Sequence, residues 1–156
     1  MAIEKVKEYF KQFNREKDIK EFPVSSATVE LAAIALGVEG ARIAKTLSFM
    51  IDDKAILIVT AGDMKIDNAK YKAEFSKKAK MLTPDEVDKY IGHSIGGVCP
   101  FAIPDDVNVY LDMSLKRFDT IFPACGSSNS AIELTCSELE KFSKSLKWVD
   151  VCKVRE

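Results

Sequence analysis

The chain has one histidine, one tryptophan and no two cysteines at C-x-x-C spacing. Its cysteines, Cys99, Cys125, Cys136 and Cys152, are dispersed, and a single imidazole adds little to them, so no zinc site and no cofactor are expected. Long apolar runs are also missing. None approaches the roughly 18 residues of a membrane span. The first ten residues are charged and amphipathic, without the apolar stretch of a signal peptide. A cytoplasmic protein with reduced thiols and no membrane contact is therefore expected. Charge of one sign is not in excess either: 23 Lys and Arg against 24 Asp and Glu give a net charge of −1. DNA is not an expected partner, and any nucleic-acid contact has to come from a local patch. There is no repeat, low-complexity segment or linker.

What is present is ordinary globular composition. The 156 residues, 47% of them apolar and 30% charged, suit one domain over 1–156 with an unstapled core. Apolar spacing predicts a helix over 2–14, stopped near Asn14. A short extended piece follows over 18–23. A second helix over 27–36 is expected, capped by Ser25 or Ser26 and ended by Gly37. Residues 39–44 read as a helical turn. Residues 45–51 and 55–60 form a β-hairpin about Asp52-Asp53-Lys54, and its second strand, apolar throughout, is expected to be central. A lysine-rich helix is predicted over 63–80. Two capping boxes, Thr83 to Glu86 and Thr135 to Glu138, open further helices ending near Gly92 and Ser145. Strands are expected over 107–112, 120–124, 131–134 and 147–152, with a helical turn over 114–118. Hairpin pairs and helices mix without βαβα alternation, which predicts α+β: a mixed, curled sheet with helices around it.

Three stretches concentrate unusual chemistry. Gly92 to Phe101 holds three of the seven glycines, the only histidine and a proline closing a Gly-x-x-x-Pro loop. Such backbone suits a pocket wall of exposed N–H and C=O groups; a hairpin turn or bulge would also use it. Lys45 shares a strand face with Leu47, Phe49 and Ile51. It either snorkels or aims a fixed cation into a pocket. Gly126-Ser127-Ser128-Asn129-Ser130 offers small polar groups to a ligand, or simply makes a polar turn. His93 reads as a loop residue or a base. Cys99 reads as a pocket-lining thiol, or, with His93 on the same loop, as a nucleophile. Lys65, Lys70, Lys72, Lys77, Lys78 and Lys80 are the one basic concentration, either a solvated face or a set of phosphate contacts. On a helix, Lys70 and Lys77 would share a face.

Taken in order, Ala44-Lys45-Thr46-Leu47-Ser48-Phe49, Gly96-Gly97-Val98-Cys99-Pro100-Phe101 and Gly126 to Leu134 resemble the YbaK-like family of aminoacyl-tRNA deacylases. That family is related to the editing domain inserted in bacterial prolyl-tRNA synthetases. The resemblance covers nearly the whole chain and implies a partly closed mixed sheet surrounded by helices. It implies hydrolysis of the ester joining a wrong amino acid, cysteine or alanine foremost, to the 3′ end of tRNA for proline. Water would attack with help from the substrate's ribose hydroxyl. The family's lysine falls on Lys45, as electrostatic and binding group. The Gly-x-x-x-Pro loop falls on Gly96, Gly97, Val98, Cys99 and Pro100. Together with His93, Gly126, Ser127, Ser128 and Asn129 these are the candidate substrate-binding residues. Lys70 and Lys77 are the candidate tRNA contacts. Some family members carry serine where this chain has Cys99. The length leaves no room for a synthetase, so a free-standing enzyme acting on the acceptor end is expected, with prolyl-tRNA synthetase as a candidate partner.

Two other classes remain open on the sequence. One is a regulator of the same fold that binds a nucleotide or charged tRNA without turnover. The other is an acyl hydrolase that depends on Cys99.

Overall fold

A computed structural model describes residues 2–155. The order of elements is α1 (Ala2–Lys11), β1 (Lys20–Glu21), α2 (Val29–Leu36), β2 (Ile43–Ile51), β3 (Lys54–Ala61), β4 (Met64–Ile66), α3 (Asn68–Phe75), α4 (Pro84–Tyr90), β5 (Asn108–Asp112), β6 (Phe122–Pro123), β7 (Ser130–Ala131), α5 (Cys136–Ser143), β8 (Lys147–Val149) and β9 (Cys152–Val154). Short 3-10 turns cover Glu16–Asp18, Gly40–Arg42 and Met113–Arg117.

The fold is organised on β3. Its side chains alternate between two cores. Ala55, Leu57, Val59 and Ala61 meet α1 (Val6, Phe10), α4 (Val87) and α5 (Leu139, Phe142). Ile56 and Ile58 meet Phe49, Tyr71, Tyr110 and Val149 on the other face. Burying each such Leu, Ile or Val contributes about 1.5–3 kcal/mol relative to exposure, which holds β3 at the centre. The main sheet runs β6-β2-β3-β5-β8. β2 and β3 are antiparallel, whereas β6, β5 and β8 join in parallel. Two ribbons, β1–β7 and β4–β9, curl around it. The α+β expectation and the central second strand of the hairpin both hold.

Local boundaries differ where caps and tertiary contacts decide. α1 stops at Lys11, and Asn14 takes φ 57°, closing the exit. Thr28, not Ser25 or Ser26, caps α2, accepting from Leu31 N at 3.1 Å. Both capping boxes form as read. The single helix over 63–80 is not formed. Met64–Ile66 pairs with β9, Asp67 caps α3 through Ala69 N and Lys70 N, and Ser76 in the left-handed region ends it. The chain beyond runs along the edge of β2, where Met81 bridges Phe49. Lys77, Lys78 and Lys80 are therefore off the helix, and Lys70 and Lys77 share no helical face. The strand over 131–134 is reduced to β7 and a bridge from Leu134 to Ile121, and 147–152 divides between β8 and β9.

Candidate active site

β2 pairs with β3 from Ala44 to Ile51, but β6 covers its outer edge only at Ile43 and Ala44, and beyond them that edge lies beside an open cleft of about 290 Å³. Lys45, Thr46, Leu47 and Ser48 form one wall. Ala27, Val29 and Ala32 come from α2 and the segment before it. Ile95, Gly96 and Val98 come from the glycine loop, and Ala124, Ser130 and Ala131 from the chain after β6. Met81 and Ile95 stand at the mouth, 58% and 62% exposed. Successive residues of a strand point to opposite faces, so the cleft wraps the edge of β2, with Lys45 on one face and Thr46 on the other.

Lys45 is half-buried, and its Nζ donates to Met64 O on β4. Burial lowers its pKa, and the positive charge of Arg155 lowers it further; Cys152, Asp63 and Glu30 act the other way. Arg155 lies near Glu30 at 3.9 Å. An ammonium is thus held in a fixed direction, beside a second cation, at the edge of an apolar cleft.

The glycine loop is divided between two environments. Gly96 takes φ +95° and faces Ala27, whose Cβ would lie 3.2 Å from an added Cβ. Gly97 is pressed against the second loop: a Cβ there would sit 2.6 Å from Ser127 N and 2.8 Å from Gly126 C. Two backbones meet at that point with no room for a side chain. Pro100 lines a different cavity of about 350 Å³, with Tyr9, Asn108 and Lys144.

Cys99 and His93 lie inside the main core and are both fully buried, not on the cleft wall. His93 Nε2 sits 2.9 Å from Phe101 O and therefore carries the proton, donating to that carbonyl. In that tautomer it cannot accept from the Cys99 thiol, although Sγ is 3.5 Å away. Burial pushes the Cys99 thiol up to about 12 and lowers the pKa of His93. The pair holds a neutral thiol and a neutral imidazole, the opposite of an activated nucleophile. Cys125 is buried likewise, its thiol raised by the same cause.

The second loop is occupied by its own contacts. Gly126 sits under α1, 3.0 Å from Ala2 and Val6 to an added Cβ. Ser127 Oγ is 2.7 Å from Ser130 Oγ and 2.9 Å from Asn129 Oδ1. Ser128 O accepts from Ser26 N at 2.6 Å. Asn129 receives Phe22 N at its carbonyl, 2.8 Å away, and donates from Nδ2 to Phe22 O at 2.9 Å. These bonds hold the 22–28 segment, which supplies the cleft with Ser26, Ala27 and Thr28. Gly126, Ser127, Ser128 and Asn129 thus stand behind the wall, and Gly96, Val98 and Lys45 form part of it. Lys70 Nζ bonds Asp150 and Cys152 O at 3.1 and 3.0 Å, and Lys77 pairs with Asp52 at 3.2 Å. Sequence reasoning missed Thr46 as a site residue, because a threonine within a strand gives no signal of its own; Arg155 lies outside the cleft lining, in a separate pocket with Glu30 and Asp63.

This fold and cleft are those of an editing domain. The chain belongs to the aminoacyl-tRNA editing domain family, whose model matches residues 24–142. Among curated proteins it is 59% identical to the uncharacterized protein YwhH of Bacillus subtilis, over 98% of both chains. It is 26% identical to the proline–tRNA ligase of Lactiplantibacillus plantarum over 83% of its own length, which is 22% of the ligase. The chain thus spans about a fifth of that ligase. Among solved structures, "a putative trans-editing enzyme for prolyl tRNA synthetase" superimposes with a TM-score of 0.87 at 25% identity, over 97% of each chain.

Proposed function

We propose that the chain is a free-standing, YbaK-like trans-editing deacylase. It removes a wrong amino acid, cysteine or alanine foremost, from the 3′-terminal adenosine of tRNA for proline. The observation that carries this reading is the cleft itself. It lies within the residues matched by the editing-domain family and presents a half-buried ammonium, Lys45, at one edge. The similarity to YwhH over 98% of both chains supports a domain acting apart from a synthetase.

The reaction needs no covalent enzyme intermediate. A water oxygen adds to the ester carbonyl carbon, the bond from that carbon to the ribose oxygen breaks, and the ribose oxygen takes a proton. The amino acid leaves as its carboxylate. The ribose hydroxyl beside the ester assists the water. The protein contributes orientation and a fixed cation: Lys45, with Arg155 nearby, meets the terminal phosphate or the developing oxyanion. The buried, protonated Cys99 offers no competing nucleophile. The enzyme acts in the cytoplasm, on the acceptor end of aminoacyl-tRNA. Prolyl-tRNA synthetase is the proposed partner that supplies tRNA selectivity.

The test is a deacylation panel. Transfer RNA for proline, charged with cysteine, alanine, serine or proline, is incubated with the purified protein. Release of cysteine or alanine with proline retained is expected. Tight binding of charged tRNA without any turnover would replace the enzyme with a binding module.

A further inference from the structure

The outer edge of β2 carries a gap. Main-chain groups of alternate residues point to the same edge of a strand. Ala44 faces outward to Pro123 of β6. Further along, Ser48 O accepts from Leu82 N at 3.2 Å and Met50 N donates to Lys80 O at 2.9 Å. Thr46 has the same parity and lies between them, in a stretch that no strand pairing covers on this edge. Neither flank extends to it. β6 ends at Pro123, and Pro84, next in register after Leu82, has no N–H to offer Thr46 O. The side chain shows the same vacancy of partners: Thr46 Oγ1 is buried, with no hydrogen-bond partner among the described residues. Buried polar groups are almost always satisfied, so an unsatisfied one on a cleft wall asks for a ligand.

We infer that the aminoacyl group of the substrate fills this gap as a one-residue strand. Its α-ammonium donates to Thr46 C=O and Oγ1, and its ester carbonyl accepts from Thr46 N–H. An antiparallel hydrogen-bonded pair exchanges both bonds between two residues. An aminoacyl ester carries the donor and the acceptor of one residue on adjacent carbons, the least that such a pairing requires. The inference rests on the deacylase reading and deepens it. The N–H of Thr46 then points at the oxygen on which negative charge develops when water adds. Anchoring runs through the α-ammonium and the carbonyl, and discrimination between side chains is left to the apolar walls of the cleft.

The test compares tRNA esterified with alanine and with propionic acid, which lacks only the α-ammonium. Thr46→Val keeps the shape and removes an unpartnered hydroxyl, so its melting temperature is expected to match wild type. A hydrogen bond to a charged group supports an expected loss of about tenfold or more in kcat/KM on the alanyl ester. Little change is expected on the propionyl ester, and Thr46→Ser should restore most of the activity. Equal losses on both esters, or no loss on either, overturn the inference. The backbone half is read on the wild-type protein by the Thr46 amide resonance. Titration with 3′-alanylamido-3′-deoxyadenosine should shift it and slow its hydrogen exchange, and the propionyl analogue, which keeps the carbonyl but lacks the ammonium that seats it, should do so only at higher concentration. If alanyl-tRNA is hydrolysed while the Thr46 amide stays unmoved, this inference falls and the deacylase reading stands. If neither ester is hydrolysed and neither analogue binds, both fall.

Discussion

Lys45 shows how one residue acquires its role from what surrounds it. The stem lies along the apolar face of β2, and Nζ is tied to Met64 O. Removing this one electrostatic stabiliser in Lys45→Ala should cost on the order of 100-fold or more in deacylation rate while the protein stays folded. Single-turnover rates together with circular dichroism check this. The pH dependence has a defined sign. In the proposed mechanism the ammonium is the active form, and burial, with a smaller effect of Arg155, lowers its pKa below the 10.5 of a free lysine. Enzymatic deacylation, corrected for spontaneous ester hydrolysis, should therefore decline on the alkaline side before an exposed lysine would lose its charge. Cys99 gives the complementary case. Buried, protonated and next to a histidine committed to Phe101 O, it is not placed to act as a nucleophile. Cys99→Ser should keep wild-type deacylation within a few-fold, and iodoacetamide at neutral pH should leave the native residue unmodified. A covalent acyl adduct at Cys99 would overturn this assignment.

At the scale of elements, the site depends on two loops meeting backbone to backbone. Gly97 is the contact: an added Cβ would lie under 3 Å from Ser127 and Gly126 main-chain atoms. Gly97→Ala must push the loops apart, and such overpacking costs about 1–3 kcal/mol. Thermal melting should show the lower stability. Deacylation should fall as well, because Gly96 and Val98 on the same loop line the cleft. A stable, fully active Gly97→Ala protein would mean that the loops are free to separate. The glycine loop and the Gly-Ser-Ser-Asn-Ser loop were both legible as special backbone. The division of labour within them was not. Gly96 and Val98 reach the cleft, whereas the second loop spends its polar groups on the 22–28 segment. Which side of a loop faces a cleft depends on distant segments packed against it.

For the whole molecule, a net charge of −1 leaves tRNA binding to local cations. Lys45 Nζ and Lys70 Nζ both reach the β4–β9 ribbon, at Met64 O and Cys152 O. Lys77 instead pairs with Asp52 at the tip of the β2–β3 hairpin, about seven residues from Lys45 and about 23 Å away at roughly 3.3 Å per residue. Lys70→Glu is expected to raise KM for charged tRNA and flatten its salt dependence, since fewer counterions are released. Lys77→Glu should leave both near wild type. Equal effects of the two substitutions would place the tRNA across the hairpin tip.

The sequence by itself determined the elements with strong local signals. The apolar run of β3, the turn at Asp52-Asp53 and the two capping boxes follow from side-chain period and short-range hydrogen bonds. The ordered motifs around Lys45, Gly96 and Gly126 were enough to point to the family. Only the tertiary structure decided that 63–80 divides into a strand and a short helix, because the partner of Met64–Ile66 is β9, roughly ninety residues away along the chain. It also decided that Cys99 and His93 are core residues and that the edge of β2 is left open at Thr46. Burial and edge pairing are properties of what packs alongside a segment, and that information is spread over the whole chain.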